Sequence, residues 1–401
     1  MITQFASAAP NIVWIIGEDA SPNLSCYGEE TIETPRLDGL AQEGVRFENA
    51  FVTCPVCSPS RSAMVTGMYQ TTLGAHNHRS QREDGKGGGN EDYYESYKLP
   101  VKSIPDLFKE AGYTTYNVGW ESGGKTKPGK TDYNFIWDPA MYDSGDWSNR
   151  KEGQPFFAQI QLHGGKNRKA KQHGTDPNKV NLPPYYPDDP VLRGDWADYL
   201  NSWIQMDLEV GEILDRLEKE NLTENTFVFF WTDHGISHMR DKQFLYDGGI
   251  KVPLIVRFPD GSQNGAVRKD LVEHIDIAAT SLALADIPIP DRVQGRNLFS
   301  SSHEPREFIF AARDRCDETV DIIRCVRTDR YKYIRNFMSY LPHAQPNQYK
   351  DGKEILKRMK ILYKAGELSE LQARVYQTPR PTEELYDIQN DPYETRNLAG
   401  D

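Results

Sequence analysis

The sequence predicts an α/β protein with a central, mostly parallel sheet covered by helices and a smaller α+β unit at its C-terminal end. Two observations carry that reading. Short apolar runs alternate with helical patterns, the order that builds parallel sheets from strand–helix–strand units. Each run also stops abruptly at polar, chemically capable residues, as strands do where the carboxyl ends of a sheet open onto a ligand.

In chain order, residues 11–16 form the first apolar run and lead into Gly17-Glu18-Asp19. Residues 104–111 read as a helix closed by Gly112. Residues 155–162 run into His163. Residues 196–220 form a long helical pattern with Leu200, Trp203, Ile204, Leu208, Leu214 and Leu217 along one face. Residues 227–231 lead into Thr232-Asp233-His234-Gly235. Residues 252–256 add a strand, and residues 275–285 form an Ala/Leu-rich helix. Residues 308–312, read as another buried strand, run into Arg313-Asp314-Arg315. Beyond them the character changes. Residues 321–335 read as a hairpin, and residues 354–363 as a helix. The boundary is therefore placed between a main unit, 1–312, and a smaller α+β unit, 313–401, that completes the substrate pocket. Glycine-rich stretches at 85–90 and 122–129 read as mobile surface loops.

The chain has 401 residues, 47 basic and 59 acidic, for a net charge of −12. That balance excludes a general nucleic-acid binder. If the substrate is a polyanion, the cations must gather in one pocket. Hydrophobic residues at 38% and charged ones at 26% describe a folded globular chain. No apolar run approaches the roughly 18 residues of a membrane span. The first ten residues lack the basic and apolar regions of an intact signal peptide, which leaves a trimmed leader open. The five cysteines, Cys26, Cys54, Cys57, Cys316 and Cys325, leave at least one thiol unpaired. They do not decide between an exported and a cytoplasmic protein.

The sharpest motif is Cys57-Ser-Pro-Ser-Arg61, followed by Thr66-Gly67. Pro59 suits the first turn of a helix and Ser58 can cap it. Residue 57 then sits at a helix N-terminus, where backbone N–H groups favour an anion, and Arg61 lies one turn along, able to hold an oxyanion. On these residues alone, a buried structural cysteine beside an ordinary helix start accounts for the pattern equally well.

Cys-x-Pro-x-Arg followed by Thr-Gly resembles the signature of the formylglycine-dependent type I sulfatases, a family with the alkaline-phosphatase-like fold. Other stretches resemble the family in the same order: residues 11–19 with Cys26-Tyr27-Gly28, residues 34–50, Thr232–Gly235, Lys242–Gly249, and the ending at 384–399. The resemblance implies that Cys57 is oxidised by a formylglycine-generating maturation enzyme, and that its hydrated aldehyde attacks a sulfate ester or N-sulfate. It implies a calcium ion held by Glu18, Asp19, Asp233, His234 and the residue-57 oxygen. Glu18 stands where the family usually has Asp, so it binds in another mode or stands back from the ion. His234 is an unusual calcium ligand.

By the same resemblance Lys242 is a sulfate ligand, and His163 is the acid that protonates the leaving oxygen. The family's Gly-Lys-Trp-His motif is broken here. After an insertion, Lys130 is the candidate for its lysine, with Lys125 second, and Asp132 stands where the histidine is expected. His76 and His78, with Arg79 beside them, are candidates for the missing base or for binding substrate. Arg313, Asp314 and Arg315, with Asp317 and Glu318, suit sulfate and sugar hydroxyls, although a structural ion-pair network explains them as well. The pattern resembles family members acting on heparan-type and algal polysaccharides. The sulfatase expectation stands beside two others: a phosphate or phosphonate ester hydrolase on the same scaffold, and a sulfated-glycan binding protein whose Cys57 is never converted.

Overall fold

A computed structural model describes residues 9–78 and 99–400. Its larger sheet has eight strands: β1 Asn11–Gly17, β2 Gly44–Phe51, β3 Thr114–Glu121, β4 Lys125–Pro128, β5 Phe156–Leu162, β6 Thr226–Thr232, β7 Lys251–Arg257 and β8 Ala266–Glu273. Their order is β4-β3-β5-β1-β6-β7-β2-β8. β3, β5, β1 and β6 run parallel, β4 and β7 run against their neighbours, and β8 is parallel to β2. The sheet is thus mostly parallel, as the alternation of runs and helices predicts.

β1 sits at the centre and every residue of it is buried. Trp14 packs edge-on against Phe157 and Trp231 on the two adjoining strands, at 4.9 and 5.3 Å. Its indole N–H donates to Ser281 Oγ at 2.8 Å, on the helix Ile275–Leu284, which therefore covers that face. Gly17 faces the other way. A side chain there would strike Met206 of the long helix Pro190–Lys219. Strand residues three apart point to opposite faces, so helices cover the sheet on both sides and the strand ends alone are left for chemistry. The long helix starts six residues earlier than the apolar face predicts, because Asp189 caps it and Pro190 fits its first turn.

The second sheet is antiparallel, in the order β12-β11-β10-β9, with β9 Phe308–Arg313, β10 Ile323–Thr328, β11 Tyr331–Asn336 and β12 Glu383–Asp387. The predicted hairpin is β10–β11. The run at 308–312 is not buried throughout: Phe308 and Phe310 are nearly half exposed, because β9 edges this sheet and shows one face to solvent. The glycine-rich stretch at 122–129 also differs from its expectation. It turns β3 into β4 as an antiparallel hairpin, Val118 opposite Pro128. The Glu212 carboxylate accepts from the Trp120 indole and from the N–H groups of Gly123 and Gly124, which ties the turn to the long helix. The stretch at 85–90 lies outside the described residues.

Candidate active site

The helix Cys57–Thr66 begins two residues earlier than a Ser58 cap would give. Val56 precedes it in extended conformation, and Ser58 is not the cap. Cys57 is thus the first helical residue, 3% exposed. Its Sγ lies 3.1 Å from Lys242 Nζ, 3.1 Å from His234 Nε2, 3.8 Å from Asp19 Oδ1 and 3.9 Å from Lys166 Nζ. Burial opposes ionisation of this thiol. Lys130, Lys166, Lys242 and His234 outweigh burial and pull the thiol well below its ordinary value. The surroundings of residue 57 are therefore built for a negatively charged side-chain atom.

β1 supplies the acids. Asp19 takes a left-handed φ of 50°, a conformation that Asp tolerates better than most residues. It is fully buried, and its N–H donates to Asp233 Oδ1 at 3.0 Å. Its carboxylate receives Lys242 at 3.0 Å, Lys166 at 3.4 Å and the Tyr349 hydroxyl at 3.0 Å. Against burial, the two lysines hold it far below the usual carboxylate range. Glu18 turns elsewhere, to Lys166, to Arg61 at 3.2 Å and to Lys130 at 3.4 Å. Burial would raise it, but these three cations keep it at about 2.

Arg61 is fully enclosed and joins the helix to two strand ends. It pairs with Asp233 at 3.0 Å as well as Glu18, lies 3.7 Å from Asp132, and donates to Gln161 on β5. Donor atoms of Asp19, Cys57, Asp233 and His234 all lie within 4.8 Å of one another, and all four residues are buried. Two carboxylates already gathering positive charge fit a hard divalent cation, with residue 57 and the imidazole completing the set. Glu18 is not in that group.

Lys130 follows β4 and comes back to the pocket, 3.4 Å from both Glu18 and Asp132. Lys125 and Lys127 are exposed on β4, and Lys127 pairs with Glu121. His163 follows β5 and is exposed. Partial loss of water around its ring, with Lys166 and Lys127, holds it below its ordinary value against the pull of Glu18 and Glu121. His78 is buried, its Nδ1 3.1 Å from Asp317 and 3.6 Å from Cys316 Sγ. Burial alone would lower it. Cys316, Asp317 and Cys57 outweigh burial and raise it to about 10. His76 is half-buried, with Nδ1 enclosed. Arg79 lies outside the described residues. Arg313 is buried against Asp321 and Thr319, and Asp314 holds Arg324. Arg315 donates to the carbonyls of Asp317 and His78. These three brace the strand end that carries Asp317.

Two residues in the pocket escape the sequence reading. Lys166 ends a short turn after β5, and Tyr349 lies on the helical turn Gln348–Asp351. The neighbouring Lys350 donates to the carbonyls of His238 and Lys242 at 2.8 and 2.9 Å, bracing the loop that aims Lys242.

Residues 10–287 match the family model described as Sulfatase, and residues 234–380 match N-sulphoglucosamine sulphohydrolase, C-terminal. An ulvan-active sulfatase of Formosa agariphila is 31% identical over 97% of this chain and 71% of its own length. The N-sulphoglucosamine sulphohydrolase of Homo sapiens is 25% identical over 98% of this chain and 86% of its own. A solved 2-O GAG sulfatase shares the fold, with a TM-score of 0.66 at 20% identity over 98% of this chain and 88% of that one.

Proposed function

The chain belongs to the sulfatase family and is a sulfuric ester hydrolase, and we propose that its substrate is a sulfated carbohydrate, attacked from residue 57 after a maturation enzyme has converted Cys57 to formylglycine. The observation that carries this reading is the setting of Cys57, a buried helix-start side chain ringed by Lys242, His234, Lys166 and Lys130. The carbohydrate is suggested by relatives active on ulvan and on N-sulphoglucosamine. Hydrated formylglycine would present an oxygen nucleophile where the sulfur now lies. A calcium ion held by Asp19, Asp233, His234 and that oxygen would supply a fixed double charge beside the sulfuryl group.

The chain's own residues divide the remaining work. Arg61 ties residue 57 to Asp233 and Glu18 and so fixes the direction of attack. Glu18 stands behind the metal group and anchors Lys130 and Lys166. Lys242 and Lys130 bind sulfuryl oxygens. His163, exposed at the end of β5, delivers the leaving oxygen's proton. His78, with one ring nitrogen on Asp317 and held as an imidazolium near residue 57, binds the departing sugar as a donor. Four carboxylates (Glu18, Asp19, Asp132, Asp233) balance four cations (Arg61, Lys130, Lys166, Lys242). A bound dication leaves two net positive charges, which suit a sulfate ester and the sulfate dianion it releases.

Peptide mass spectrometry of active enzyme, paired with release assays on sulfated oligosaccharides and matched phosphate esters, tests the reading. Sulfate release should track the fraction of residue 57 converted, and Cys57→Ala should abolish it. Full sulfate release by unconverted protein, or a preference for the phosphate esters, would overturn it.

A further inference from the structure

Lys166 has no role in the mechanism above beyond its charge, yet the chain is shaped to deliver it. β5 ends at Leu162, and the turn Gly164–Lys166 folds back under the end of β1. Gly164 has φ +53°, and a Cβ on either Gly164 or Gly165 would overlap backbone atoms of Glu18 or Asp19. Gly165 N–H donates to the Glu18 carbonyl at 2.7 Å. Two consecutive glycines therefore let the turn lie directly on the acidic strand end. The next side chain is returned over the carboxylates. Its ammonium pairs with Glu18, stands 3.4 Å from Asp19 Oδ1, and reaches 3.9 Å from Cys57 Sγ.

We propose that Lys166 is a further catalytic residue that binds a sulfuryl oxygen directly, together with Lys242; the proposal rests on the sulfatase reading. A purely structural lysine needs only its carboxylate partners. This one also reaches the nucleophile's position, as Lys242 does at 3.1 Å. Sulfuryl oxygens must lie close to the attacking atom in the transition state, and a preorganised ammonium there stabilises the charge on them.

The test compares Lys166→Met, Lys166→Arg and, as a control, Lys169→Met, an exposed position three residues on. Three quantities are measured on calcium-loaded, converted enzyme: kcat/KM on one sulfate ester, inhibition by inorganic sulfate, and bound calcium. Lys166→Met should lose about 100-fold in kcat/KM, in the range for one preorganised donor, and about tenfold in affinity for inorganic sulfate, with calcium unchanged. Lys166→Arg should recover part of both, and Lys169→Met should match the unaltered enzyme. The proposal is overturned if Lys166→Met binds sulfate within twofold of the unaltered enzyme, or if its activity falls in step with lost calcium. An unaltered enzyme that hydrolyses no sulfate ester defeats the sulfatase reading instead. Calorimetric binding of inorganic sulfate to the Lys166→Met and unaltered proteins still decides Lys166 in that case.

Discussion

Replacing Lys130 with Met tests whether this lysine serves in place of the interrupted lysine motif. The ammonium is held 3.4 Å from Glu18 and 3.4 Å from Asp132, and the side chain is 24% exposed. A unit charge ~5 Å from a sulfuryl oxygen, at an effective dielectric of about 20, interacts by about 3 kcal/mol. Loss of one preorganised donor in other active sites falls at about 2.7–4 kcal/mol. Both routes predict a fall in kcat/KM of about 100-fold or more. Lys127 is the control within the same insertion. Its side chain is 53% exposed and paired with Glu121, and such a surface pair contributes roughly 1 kcal/mol or less. Lys127→Met should therefore stay within about fivefold of the unaltered enzyme. Glu18 keeps Lys166 and Arg61 in the Lys130 variant, so the fold should be retained, which circular dichroism checks. A crippled Lys127→Met beside a near-normal Lys130→Met would refute the reasoning.

Asp233→Asn should lower calcium content and turnover together and destabilise the fold by about 3 kcal/mol. It removes the charge that faces buried Arg61 at 3.0 Å, and breaking such a pair strands the other ion. Metal analysis and urea unfolding read both effects, and a variant with full calcium and unchanged stability would count against the site. His274 predicts a pH effect. Its Nδ1 accepts from the Thr53 N–H, its Nε2 donates to the Ser60 carbonyl at 3.0 Å, and burial lowers it to about 4 from an ordinary 6.5. Because the folded value is the lower one, the contribution is complete above pH 6.5 and is lost as pH falls through about 4. His274→Gln should abolish that loss, at most about 3 kcal/mol, so the gap between the two proteins should narrow from pH 7 to pH 4. A constant gap in urea unfolding across that range would exclude it.

The centre of the sheet is legible because β1, β5, β6 and β7 are buried on both faces and read as unbroken apolar runs that end where the chemistry starts. Phe308 and Phe310 mislead for the opposite reason: a strand edging a half-solvated sheet carries the same residue types as a buried one. Residues 122–129 read as a loose loop because glycine and proline dominate the local pattern. The ties that order them come from Glu212, far along the chain. The acids and Cys57 stand out through position at strand and helix ends. Lys166 does not, since a lysine four residues beyond a strand reads as surface, and only the glycine turn beneath it redirects the side chain. Tyr349 carries no local signal. Arg313 and Asp314 look available in sequence, but the fold engages them with Asp321 and Arg324.

The hydrogen bond from Tyr349 to Asp19 spans 330 positions of the chain. A ribosome adding about 5–20 residues per second takes roughly 15–65 seconds to make that stretch. For that interval β1 exists without the hydroxyl that braces its carboxylate, and the helix bearing Cys57 lacks the C-terminal turn that supports the Lys242 loop. Contacts this remote in sequence form late, since loop closure precedes any energetic return. If residue 57 is converted as proposed, this delay would leave it open to a maturation enzyme while the chain is still growing, before residues 348–351 arrive. Slow synthesis through the second half of the chain should raise the converted fraction, and fast refolding of a finished, unmodified chain should lock the thiol away.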